Sequence, residues 1–210
     1  MTLTGIGMHC IRRSLKSALQ SAFLRLYPRR ELDGLQVVFT DFRIDQSVAM
    51  QRLAAALSLL SQADVRYHQQ VLRRMRRVIV WGGNFSRANP PRTVQLCPAH
   101  LMDCPIVELA SVLVHEVVHL RIDALGVGYR DALRERVEQC CIREQASFLR
   151  RCGADGALLA EAYESAPSTP WWTDDSHRSD MEISLTRAGM PRWMVRSYVG
   201  LFLKSRSRRE

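Results

Sequence analysis

The sequence has no Cys-x-x-Cys pair, almost no lysine and no acidic residue before Glu31, and no apolar run in it reaches membrane length. The six cysteines, at 10, 97, 104, 140, 141 and 152, lack the paired spacing of a disulfide framework. In the first 30 residues charge interrupts Ile11, Leu15, Leu19, Ala22 and Leu26. That excludes a secretory core or a membrane span and points to a basic amphipathic helix, with an organelle transit peptide as the other reading. Cytoplasm is the expected compartment. No internal repeat is present, and no reader motif for nucleic acid accompanies the positive charge.

What is present describes a folded domain. Hydrophobic residues make up 47% and charged residues 24% of 210 residues, a balance that supports one core and excludes a disordered chain. Lys and Arg number 30 against 21 acidic residues, for a formal charge of +9. Such a surface favours acidic partners, nucleic acid among them, although a solvated arginine face is the plainer reading.

Periodicity places the elements. Cys10 to Tyr27 reads as a helix stopped by Pro28, and Leu35 to Phe39 as a strand after the turn Asp33-Gly34. Asp45 is placed to cap a helix running to Leu60. Val78 to Trp81 reads as a strand ending at Gly82-Gly83, with Thr93 to Cys97 as an antiparallel partner across a loop from Asn84 to Pro91. Ile106 to Leu125 is apolar on more than one face, as in a buried helix. Gly126-Val127-Gly128 ends it, and a second long helix follows from Tyr129 to Arg151. Pro167 to Asp175 reads as a loop carrying Trp171-Trp172, Met190 to Lys204 as a helix and Ser205 to Glu210 as a tail. The expected organisation is a basic helix over 1–30, a catalytic core over 31–153 and a helical extension over 154–210.

The chemistry lies in Val114-His115-Glu116-Val117-Val118-His119-Leu120. Histidines four apart project from one helix face, so His115 and His119 can bind one Zn²⁺. Glu116, one step round, can take a proton from a water held in an open metal position. The apolar neighbours put these groups on a core helix, where an unpaired glutamate is costly.

These residues resemble the zincin metallopeptidases, whose active-site helix bears His-Glu-x-x-His. The resemblance covers Glu108 to Arg150. It implies an α+β zincin-like domain, with a small mixed or antiparallel sheet packed on the buried helix and an edge strand that aligns the peptide. A third ligand is needed. The metzincin pattern is excluded because Ile122 and Leu125 stand where its glycine and third histidine would be. The gluzincin branch takes a glutamate from the following helix, where Glu135, Glu138 and Glu144 are available. The 18 residues between His119 and Glu138 are similar to gluzincin spacing.

If the two helices form an antiparallel hairpin about Gly128, the level midway between the histidines lies opposite residue 139. Glu138 is then level with the metal and is the favoured ligand. Helical phase argues instead for Glu144, at the centre of the stripe Leu133, Val137, Cys140, Cys141 and Phe148. Its surroundings, Arg143 to Phe148, also look like the glutamate-bearing helix of intracellular zincins that regulate repressors. Neither glutamate has the aspartate four residues on that marks thermolysin-like enzymes. Asp123 is placed to orient a ligand, and Tyr129, Tyr163 and His177 are candidate oxyanion donors. Cys97, His100 and Cys104 read as an accidental cluster.

The expected activity is zinc-dependent hydrolysis of peptide bonds in a protein or peptide substrate. Two other readings compete. One is a regulatory protein acting on a single partner or on nucleic acid; the other is a structural zinc site closed by a fourth ligand such as Cys141.

Overall fold

Short segments rich in valine, leucine and phenylalanine form the centre of a five-stranded mixed sheet in the computed structural model, which describes residues 24–89, 91–127, 129, 131–164 and 174–204. The strands are β1 (Arg29–Leu32), β2 (Leu35–Phe39), β3 (Arg77–Val80), β4 (Arg87–Asn89) and β5 (Thr93–Leu96), in the spatial order β1-β2-β3-β5-β4. β2, β3 and β5 are parallel, while β1 and β4 run antiparallel at the two edges. The fold is α+β.

The expected antiparallel pairing of the third and fifth strands is corrected: Arg77 to Val80 pairs with Thr93 to Leu96 in parallel register. The physical reason is β4. It occupies the segment expected to be loop, carries the chain back beside β5, and a turn with Arg92 at φ 58° reverses it again. A strand reading Arg-Ala-Asn gives no apolar alternation by which to find it.

Among the described residues seven helices accompany the sheet: α1 (Gln46–Ala63), α2 (Val65–Arg74), α3 (Ile106–Ala124), α4 (Asp131–Arg151), α5 (Gly156–Glu164), α6 (Asp174–Arg187) and α7 (Arg192–Lys204), with a π-turn at Ala99–Asp103. Asp45 caps α1 by accepting from the amides of Ser47 and Val48, and Asp64 caps α2 in the same way through Arg66 and Tyr67. The inner sheet face (Val37, Phe39, Val78, Val80, Val94 and Leu96) packs with α1 and α3 into the main core. The outer face presents Val38, Ile79 and Trp81 to Leu24 and Tyr27.

α3 is the axis of the molecule, with eleven buried residues from Leu109 to Leu120. Burying each Val or Leu side chain contributes about 1.5–3 kcal/mol, which offsets the cost of carrying polar groups inside the same helix. Its end is sharp. Gly126, at φ 78°, donates to Asp123 O while Val127 N reaches Ile122 O, a closure in which a side chain at 126 would be strained.

β1, α2, α5 and α6 were not individually anticipated from the sequence, and α6 begins at Asp174, inside the segment Pro167 to Asp175 expected to be a loop. Most of the expected N-terminal helix, the Trp171-Trp172 loop and the basic tail lie outside the described residues. Among the described residues, no helix is long and apolar enough to cross a membrane.

Candidate metal centre

One face of α3 and one face of α4 meet over the two histidines. His115 and His119, one turn apart on α3, bring their Nε2 atoms to 3.1 Å of each other. From α4, Glu138 places Oε2 3.3 Å from His115 Nε2 and Oε1 3.4 Å from His119 Nε2. His115 is 6% exposed and Glu138 1%, so the meeting is nearly dry. Two imidazole nitrogens facing each other at that distance require a proton or a cation between them.

Tetrahedral zinc with nitrogen and oxygen ligands at about 2.1 Å separates its donor atoms by about 3.4 Å. The imidazole separation and the two Glu138 separations, one from each carboxylate oxygen, lie near that edge length, so two imidazoles and a carboxylate are gathered within reach of one ion. Burial pushes the Glu138 carboxyl up, but His115 and His119 beside it together hold it below the usual carboxylate range. It is ionised at neutral pH, as a metal ligand must be.

The surrounding groups fix the ligands. Ser111 Oγ donates to Glu108 O at 2.7 Å, Gln145 Nε2 donates to Ser111 Oγ at 3.1 Å, and Gln145 Oε1 lies 3.0 Å from His115 Nδ1. That contact on Nδ1 fixes the ring orientation and leaves the His115 Nε2 facing His119 and Glu138. Tyr129 donates its hydroxyl proton to Glu138 Oε1, and its ring meets His119 edge-on at 5.7 Å. In this arrangement Tyr129, expected as an oxyanion donor, holds a carboxylate.

Glu116 lies by the edge strand, where the Ala88 backbone N–H on β4 faces its carboxylate. It is 3% exposed, and its Oε2 has no hydrogen-bond partner among the described residues. Burial, joined by the charge of Glu138, pushes its carboxyl up to about 7 against the opposing pull of His115 and the Ala88 backbone N–H on β4. A carboxyl that gains and loses its proton near neutral pH has the character of a general base.

Other residues separate into those near the centre and those spent elsewhere. Cys141 joins His115 and His119 in a group whose ligand atoms lie within 4.8 Å of one another. Burial and the charges of Glu138 and Glu116 push its thiol up, so it is protonated unless a cation displaces the proton, whereas Glu138 is already charged. Cys141 and Glu138 are thus both candidates for a third donor, and Glu138 is the one already charged.

Glu144 lies away from the histidines. It accepts from the Tyr67 hydroxyl and from Arg121 Nη2 at 3.1 Å, and its side chain is 35% exposed rather than central to an apolar stripe. Glu135 takes a hydrogen bond from Gln139 at 3.1 Å, and Asp123 is exposed. The side chains of Tyr163 and His177 lie outside the described residues.

Cys97, His100 and Cys104 do not converge on a metal. His100 Nδ1 lies 2.8 Å from Ser86 Oγ, which accepts from Cys97 N at 3.1 Å, while Cys104 Sγ donates to His100 O at 2.7 Å. Gln145 was missed in the sequence. Its only signal is position, seven residues after Glu138 on the same face of α4.

No protein-family model matches the chain, and neither a characterised protein nor a solved structure matches it.

Proposed function

We propose that the protein is a zinc-dependent peptidase of the zincin type, in which His115, His119 and Glu138 hold one zinc ion and Glu116 is the general base. The observation that carries this reading is the set of three donor separations, 3.1, 3.3 and 3.4 Å, in a nearly dry site. Zinc bound there would supply Lewis acidity toward a carbonyl and a water. The chain's own residues do the rest. Gln145 and Tyr129 keep His115 and Glu138 in orientation, and Glu116 takes a proton and later returns it to the leaving amine. Among the described residues β4 pairs on one side only, with β5, so its other edge offers backbone groups to an extended peptide beside Glu116.

A second reading is favoured by one observation, the nearness of Cys141. A thiolate in the fourth position would close the metal and make the site structural. Metal analysis and peptide-library cleavage of the parent, Glu116→Gln and Cys141→Ser separate the two. The peptidase reading expects stoichiometric zinc in all three, cleavage by the parent and by Cys141→Ser, and a loss of about 10²–10⁴-fold in Glu116→Gln. Zinc loss in Cys141→Ser together with an inert parent would establish the structural site instead. A parent purified without chelators and free of zinc would end both.

A further inference from the structure

The loop between β3 and β4 is held from below by a helix of the C-terminal region. Asp180 of α6, 2% exposed, accepts the backbone N–H of Asn84 at 2.5 Å, and its other oxygen lies 3.9 Å from Arg87 Nη1. The Arg87 guanidinium stacks 3.9 Å over the Trp81 ring, whose Nε1 donates to Phe85 O at 3.1 Å. Arg187, two turns further along α6, donates to Gly82 O at 2.6 Å. Gly83 is packed so closely that a Cβ there would lie 2.5 Å from the Trp81 ring and 2.9 Å from Asp180 Oδ1. From the other side, Ser86 is tied to Cys97 N and His100.

These contacts converge on the residues immediately before Ala88, whose N–H faces Glu116. β4 is three residues long and pairs on one side, so its own ladder fixes its height over α3 only weakly. A buried carboxylate is costly unless its partners are specific. Here they are the backbone amides of Asn84 and Phe85 and the guanidinium of Arg87, two residues of the loop before β4 and the first residue of β4 itself.

We propose that Asp180 is a positioning residue: it joins the C-terminal helix α6 to the loop 82–87 and so sets β4 at the height at which its free edge can seat an extended polypeptide beside Glu116. The kinetic part of this inference rests on the peptidase reading; the structural part stands without it. Asp180 acts on the strand and leaves the ligands on α3 and α4 untouched. Its loss therefore weakens substrate seating more than the chemical step.

The test uses the zinc-loaded full chain and three readouts: zinc content, hydrogen exchange and steady-state cleavage of a peptide selected with the parent. Asp180→Ala should keep its zinc, speed amide exchange across 82–89 by about ten-fold or more, and raise KM about ten-fold with kcat within about two-fold. Asp180→Asn retains the acceptor for Asn84 N–H and loses only the charge toward Arg87, so its KM should rise only about three-fold. Parent-like exchange across 82–89 in Asp180→Ala would overturn the proposal, as would faster exchange with KM unchanged. If Asp180→Ala does not fold, Asp180→Asn decides, and parent-like KM and exchange in it overturn the proposal. A parent that cleaves nothing ends the peptidase reading, and the exchange comparison still decides for or against Asp180.

Discussion

Two glutamates of α4, six residues apart, show opposite ways of using a carboxylate. Around Glu144 the needs are met: Tyr67 and Arg121 donate to it, and the Tyr67 ring packs edge-on against Phe148 at 6.4 Å with Arg151 over its face. Around Glu138 and Glu116 two buried carboxylate oxygens have no hydrogen bond, and two imidazole nitrogens face each other. Completed networks stabilise; incomplete ones in a dry interior cost stability and persist where something else completes them. The difference sets Glu144 in a completed scaffold network and is the reason Glu138 is the proposed metal ligand.

The sharpest way to break that comparison is to remove each carboxylate in turn. Glu138→Ala should lower zinc affinity by more than about a hundred-fold, whereas Glu144→Ala should leave it within a few-fold, since loss of even an outer orienting partner costs only about 10–100-fold. Competition with a chromophoric chelator measures both, and equal affinities would refute the assignment. A smaller effect is expected at the orienting amide. Gln145→Ala frees the His115 ring and should weaken zinc about ten-fold with the fold intact, while an unchanged affinity would show that Gln145 does not orient the ligand.

The smallest effect belongs to the completed network. The Tyr67 hydroxyl, with Arg121, holds the Glu144 carboxyl below its usual range against burial, which raises it. A depressed carboxylate contributes stability above its unfolded value of about 4.3, and that contribution fades as pH falls through the lower folded value. Tyr67→Phe should therefore cost about 1 kcal/mol at most at pH 7, discounted because Glu144 is a third exposed, and less still near pH 3. Urea unfolding at the two pH values measures it. A cost that is equal at both would show that the bond does not depend on the charge.

Much of the site's layout was legible because it depends on local periodicity. The apolar neighbours of His115, Glu116 and His119 marked a buried helix, and 1.5 Å of rise per residue put Glu138 level with the histidines. The apolar stripe misplaced Glu144, because a residue near the middle of a stripe can still turn to the flank when a tyrosine and an arginine wait there. Local sequence could not reveal β4, whose three residues gain their strand character from β5 alone. α2 buries only Tyr67 and Val71 and follows α1 after one residue, so its pattern ran into its neighbour's. α6 has charge on all sides and buries Asp180, Met181 and Ser184, a face recognisable only once the loop it supports is known.

The brevity of β4 has a consequence for how the molecule behaves among its own copies. An open strand edge beside an apolar core invites edge-to-edge growth, and proteins with long flat edges aggregate. This edge ends after Asn89, and the next two residues in the sequence, Pro90 and Pro91, have no N–H to offer a ladder. At the opposite edge β1 carries Arg29 and Arg30. Among the described residues, then, one edge of the sheet is short and the other carries arginines, and both features discourage edge-to-edge growth.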